Sequence, residues 1–205
     1  MADTPQGLVP VRYLNGAPYN GQCRPYYTDG STVLFIGDPV TQAGTLNAAA
    51  VGNYKIGELE TVKIYTAAGN TTPITGVVVA ADPLEGSGAD GRDSTIYAAA
   101  STARVVWVAD DPMIIFQIQE DDAAAALALT DCAMNCDLVA TAAGSTATGI
   151  SGWELDSSSA AVTATGDVQI LNISRILDNA FGGGNVKWDV RINLHRFNSG
   201  TLGIQ

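Results

Sequence analysis

Basic side chains, histidine and cysteine are scarce in this 205-residue chain, and long apolar runs are missing altogether. Lys and Arg total 10 against 21 Asp and Glu, a formal net charge of −11. A surface of that sign repels a phosphate backbone wherever salt leaves a field, which makes DNA and RNA poor ligands. The longest apolar stretches, at residues 33–36, 74–81 and 105–109, are far too short to cross a bilayer as a helix, and no membrane partner is expected. The single histidine, His195, confines Ser–His and Cys–His catalysis to one position, and no G-x-S-x-G elbow or Cys-Gly-Ser-Cys context accompanies it. It falls on the polar side of the last strand pattern, beside Arg191 and Asn193, where a solvated or interface residue is expected. Three cysteines, Cys23, Cys132 and Cys136, are an odd number. The start MADTPQGLVPVRY has neither a basic nor an apolar leader region, so the expectation is synthesis in a cytoplasm and three free thiols. The C-x3-C spacing of Cys132 and Cys136 lacks the second Cys or His pair that would complete a zinc site, and neither metal nor cofactor is expected.

What is present is a globular, β-rich composition: 46% hydrophobic and 15% charged residues, crowded with Ala, Gly, Thr, Ser and Val. The acidic group Asp110, Asp111, Glu120, Asp121 and Asp122 lacks the D-x-D-x-D-G loop of a calcium site and reads as solvated turn charges. Gly182-Gly183-Gly184-Asn185 has no Lys-Ser/Thr pair after it, so a hairpin connection is expected there and not a phosphate loop. Trp107, Trp153 and Trp188 would make a sugar-stacking platform if exposed. Trp188 lies on an apolar face and Trp107 in an apolar run, which points both of them to the core.

Along the chain, Pro10, Pro18 and Pro25 interrupt the first thirty residues, with Tyr13, Tyr19, Tyr26 and Tyr27 among them; an extended N-terminal arm is expected, folded back on its own domain or laid on a neighbour. Strands are expected at 32–36, 59–65, 74–79, 104–109, 113–119, 137–140, 153–155, 168–177 and 186–197, with a loop after Pro39 and an exposed Gly-rich loop at 82–93. Within 186–197, Val186, Trp188, Val190, Ile192 and Leu194 alternate with Lys187, Asp189, Arg191, Asn193 and His195, one face core and one wet. Adjacent apolar Ile170 and Leu171 break the same alternation and suggest a bulge. One short helix is expected at 123–129, behind Asp121 and Asp122. No long amphipathic helix separates the strands, so the fold class is all-β and mainly antiparallel, a barrel or sandwich. The expected division is an arm at 1–30, a first β subdomain at 31–100 and a second at 101–205.

The segments PVRYLNGAPYNGQCRPYYTDGSTVLFIGDPV, ITGVVVAADP, STARVVWVADDPMIIFQIQEDD and ILNISRILDNAFGGGNVKWDVRINLHRF, taken in order, resemble the capsid decoration, or cement, proteins of tailed bacteriophages. The resemblance implies a mainly β protein, commonly a homotrimer, that sits on the outside of the assembled shell and clamps neighbouring major capsid subunits; the family has no active site to transfer. An acidic exterior component avoids the packaged genome, which agrees. On this reading the arm holds the shell, with Tyr13, Tyr19, Tyr26 and Tyr27 as anchors and Arg12 and Arg24 pairing with capsid carboxylates. Two alternatives are a receptor- or glycan-binding β module of a phage tail or fibre, and a hydrolase using Asp110 and Asp111. The last is disfavoured because neighbouring strand residues point to opposite faces.

Overall fold

The computed structural model describes residues 3–66, 72–85, 92–93, 95–121 and 126–198. Its strands in chain order are β1 Val9–Tyr13, β2 Arg24–Thr28, β3 Pro39–Leu46, β4 Glu60–Ile64, β5 Gly76–Ala81, β6 Leu84–Glu85, β7 Arg92–Asp93, β8 Arg104–Ala109, β9 Ile114–Gln119, β10 Asn135–Cys136, β11 Leu138–Ala140, β12 Trp153–Leu155, β13 Val168–Ile173 and β14 Lys187–Ile192. Two assemblies dominate. Strands β2-β4-β3-β5-β8 close into a barrel, and β1-β9-β14-β13-β10 form an open sheet; the pairs β11-β12 and β6-β7 stand apart. Every pairing is antiparallel except β2 with β4. The architecture is thus all-β, a closed barrel with a five-stranded sheet packed against it.

Period-2 alternation builds both cores. Tyr26, Val40, Val62, Val78, Val106 and Val108 fill the barrel, with Leu34 and Ala98 from the connections. A larger core lies between sheet and barrel. Phe116 and Ile118 of β9, Trp188, Val190 and Ile192 of β14, and Val168 and Ile170 of β13 meet Tyr65, Ile74, Val77 and Ala109 from the barrel side. The Tyr65 hydroxyl reaches the Asp167 carboxylate at 2.5 Å across this contact, and Asp167 also accepts the Leu138 N–H at 2.9 Å. The bulge expected near Ile170 is there, as a register shift between Ile170 and Asn172 against β14.

Four expectations need correction. Residues 1–30 are folded back on the chain's own domain, one of the two dispositions expected, but as strands and not as an irregular arm: β1 is hydrogen-bonded to β9, and β2 is a barrel stave that buries Tyr26 and Tyr27. Pro10 lies at a bulge in an edge strand, and Pro25 pairs with Trp107 of β8 but lies outside the single position, Tyr27, at which β2 pairs with β4. The two expected subdomains are interleaved, since β1 joins the sheet, β2 to β5 and β8 build the barrel, and the chain crosses at residues 110–112. The loop foreseen after Pro39 is strand β3, opened by a register shift between Gln42 and Leu46, while residues 32–36 make only isolated bridges. Of the helix foreseen at 123–129, residues 123–125 lie outside the described residues, 126–128 are not helical, and Leu129–Asp131 is a single 3-10 turn.

Barrel and sheet are locked at a contact between two backbones. Leu8 N–H donates to Gly37 C=O at 3.0 Å, and Gly37 N–H to Val78 C=O at 2.8 Å. Gly37 has φ +96°, and a Cβ there would lie 2.3 Å from the Gln6 carbonyl oxygen. Gly44 has a similar φ of +79° with nothing within 4 Å of a Cβ. Gly37→Ala is therefore expected to destabilise by about 3 kcal/mol, strain plus backbone clash, and Gly44→Ala by about 1 kcal/mol, strain alone. Denaturant unfolding of the two variants checks the difference.

Candidate functional site: the outer face of the five-stranded sheet

With one face of the sheet packed on the barrel, the opposite face carries the alternate side chains, of which Ile115, Gln119 and Asp189 are buried while Arg12, Gln117, Lys187 and Arg191 are half-buried. Register fixes its rows. Arg12 of β1 stands opposite Ile115 of β9, which faces Arg191 of β14, which faces Gln169 of β13. The next row holds Gln117, Asp189 and Asn172, and the one after it Gln119 and Lys187. Arg12 reaches across β9: its Nη2 lies 2.7 Å from Asp189 Oδ2 and 3.3 Å from Asn172 Oδ1. Asp189 is 2% exposed and further held by Asn172 Nδ2 at 3.0 Å and by the Ser174 hydroxyl. Arg191 Nε donates to Gln169 Oε1 at 2.8 Å. Arg175, just past β13, is exposed, and together with Arg12, Asn172 and Ile173 it lines a depression of about 520 Å³. Arg12, Arg175, Lys187 and Arg191 are four of the ten basic residues in the chain, gathered around one face; buried Asp189 lies among them, and Asp3 and buried Glu154 meet Gln119 at the end of the face beside Lys187. Such a face attracts carboxylates or other anions in an otherwise acidic molecule.

Of the six residues expected to contact a partner, only Arg12 belongs to this face. Tyr13 and Tyr19 pack on each other with ring centroids 6.0 Å apart and lean against the main core. Their hydroxyls donate to Asn20 Oδ1 and the Gln22 carbonyl, both at 2.9 Å. Burial pushes the Tyr19 phenol up to about 12. Arg24 turns to the barrel end, its Nε and Nη2 each 2.5 Å from Asp110 Oδ2 and its guanidinium 4.8 Å from the Phe197 ring centre. Tyr26 donates to the same Asp110 oxygen at 2.6 Å from inside the barrel, and Tyr27 is buried on the barrel's outer wall. The six thus serve three different places. Lys187 and Arg191 were legible as the wet side of an alternating strand; nothing in the sequence brings Arg175 or Arg12 to them.

His195 is not solvated. It is 2% exposed, because the chain past β14 folds down beside Ile74, where the two residues form a parallel bridge. Its Nδ1 accepts the Phe197 N–H at 3.1 Å, and Nε2 has no partner among the described residues. Burial, with a smaller push from Arg24, pulls its pKa down to about 4, against opposing contributions from Asp110 and Asp111. The acidic residues expected as solvated turn charges include two buried ones. Asp110 holds Arg24 and Tyr26, and Glu120 accepts Trp188 Nε1 and the Leu127 N–H at 3.1 Å and the Val186 N–H at 3.3 Å. Asp122 lies outside the described residues. Cys136 is buried, its thiol pushed up to about 12 by burial, whereas Cys132 is exposed; all three thiols are unpaired. No group of three or more metal-ligating side chains occurs among the described residues. Trp153 and Trp188 are in the core and Trp107 is half-buried, its indole N–H 2.5 Å from Asp82 Oδ1, so the three make no exposed platform.

Comparison with protein-family models, with curated proteins and with solved structures finds no match to the chain.

A buried neutral imidazole makes a pH prediction. The folded pKa lies below the ordinary 6.5, so the stability it contributes is present above pH 6.5 and is lost as pH falls toward 4. His195→Asn keeps an acceptor near Nδ1 and cannot titrate. The stability gap between wild type and His195→Asn is expected to shift against wild type by on the order of 3 kcal/mol between pH 7 and pH 4, checked by urea unfolding across that range.

Proposed function

We propose that this chain is a structural virion protein that binds the outer surface of an assembled phage capsid and stabilises it by clamping neighbouring major capsid subunits, acting as a homotrimer and without catalysis. The observation that carries the reading is the gathering of Arg12, Arg175, Lys187 and Arg191 around one sheet face of a chain whose net charge is −11. Such a face gives a molecule that is acidic elsewhere one orientation for approaching an acidic protein surface, and it leaves the remaining exterior repelled by nucleic acid and by other particles. The resemblance of the four segments quoted above to decoration proteins supplies the partner. The all-β build supports it as well, because a closed barrel with a sheet packed on it is a stiff body able to bridge two subunits without refolding. Contact at several places around a symmetric trimer would multiply modest single contacts into tight binding. The tail- or fibre-module alternative draws no support from the tryptophans, two of which are core residues.

Purified chain added to undecorated shells is expected to co-sediment with them and to raise the temperature at which they break open, by the stabilisation that any ligand gives the state it binds. Arg191→Glu, which reverses a charge at the centre of the face, is expected to weaken that binding by about tenfold at low salt and by less as salt rises. Binding to a glycan array with no binding to shells would favour the tail-module alternative.

A further inference from the structure

The connection between β13 and β14, residues 174–186, carries an unusual concentration of exposed apolar surface. Leu177 is 91% exposed, Phe181 48% and Ile176 42%, within six residues of one another. Elsewhere Leu14 and Met113 are exposed as one neighbouring pair, and others such as Val162, Leu46, Ile56 and Leu129 stand singly along the chain, as surface hydrophobics ordinarily do. Nor is the loop loosely tethered. Asn179 clamps its base: Nδ2 donates to the Ser174 carbonyl at 2.9 Å and the Lys187 carbonyl at 2.8 Å, and Oδ1 accepts the Lys187 N–H at 2.9 Å. Asp178 and Asn185 adopt left-handed backbone at φ 63° and 62°, beside Gly182 at 89°, so the path between the strands is set by defined turns. A loop fixed in this way loses little further entropy when it binds.

Its surroundings state what it fits. Arg175 opens the loop and has no partner among the described residues, and the depression of about 520 Å³ beside it is shared with Arg12. Arg12 spends Nη2 on Asp189 and Asn172 and keeps Nε and Nη1 unused among the described residues. Two guanidinium groups over a polar depression are suited to a carboxylate, and the apolar tip next to them is suited to a hydrophobic recess. Basic side chains beside exposed Leu and Phe also describe a loop that wedges into a membrane surface. A net charge of −11 opposes approach to an extended anionic bilayer more than to a groove with a few rim carboxylates, which favours the protein occupant.

We infer that the β13–β14 loop is a preformed docking finger whose Leu177 and Phe181 enter an apolar groove rimmed by Asp or Glu on another protein, while Arg175 and Arg12 pair with that rim. The inference rests on the proposed function only for the identity of that protein, the shell subunit.

The test is co-sedimentation of the full-length chain with undecorated shells, comparing wild type with Leu177→Ser, Phe181→Ser and Arg175→Glu. All three substitutions alter exposed residues, and thermal unfolding is recorded alongside to show that each variant remains folded. Each is expected to weaken shell binding by about tenfold with the unfolding temperature unchanged, and only the Arg175→Glu deficit is expected to shrink in high salt. Wild type and all three variants binding equally would overturn the docking finger and leave the proposed function standing. Wild type failing to bind shells would overturn the proposed function and this inference with it. Wild type binding vesicles of anionic phospholipid, with Leu177→Ser and Phe181→Ser impaired there, would assign the loop to a membrane and overturn it likewise.

Discussion

The packing of the five-stranded sheet onto the barrel is the contact on which the rest of the molecule depends. It joins Phe116, Trp188 and Val190 to Tyr65, Ile74 and Val77, and it is threaded by the Tyr65–Asp167 hydrogen bond in an otherwise apolar layer. A buried carboxylate is costly unless its acceptors are filled, and Asp167, raised to about 6 by burial, has both oxygens engaged. Because the inner face of the sheet is consumed by this packing, the outer face and the β13–β14 loop are turned outward together. Position of the basic face is thus a consequence of the core, not a separate feature laid on the surface.

Charge is distributed with the same logic. Three of the six cations outside that face are tied into the fold: Arg24 to Asp110, Arg196 to Glu60 at 2.5 Å, and Arg104, 1% exposed, to the Thr95 and Tyr97 carbonyls. Arg12 alone does both jobs, neutralising buried Asp189 while remaining 37% exposed toward the depression it shares with Arg175. Removing it would therefore test stability and binding at once, and the exposed Arg175 and Leu177 separate the two more cleanly.

Local patterns in the sequence carried much of the fold. Strict alternation in β14 marked the core face of the sheet, and Ile170 beside Leu171 marked the bulge. What failed was whatever depended on distant partners. Three prolines suggested an arm, but a β strand tolerates proline wherever its neighbour asks for no N–H, and that neighbour is remote in sequence. The alternation that put His195 and Asn193 on the wet side holds only as far as Ile192, where β14 ends. Beyond Ile192 the chain leaves the sheet edge, and Asn193 donates to the Ala164 and Gly166 carbonyls while His195 lies against Ile74. The same limit governs the candidate site: Lys187 and Arg191 could be read from one strand, whereas Arg12 and Arg175 join them only through the pairing of β1, β9, β14 and β13.

Orientation on the partner is the central claim, and a cryo-electron microscopy reconstruction of shells saturated with the chain measures it directly. Density in which the outer face of the sheet and the β13–β14 loop meet the shell, with the barrel pointing away, is the predicted result. A shell contacted through the barrel end around Arg24 and Asp110, with that sheet face open to solvent, would contradict it.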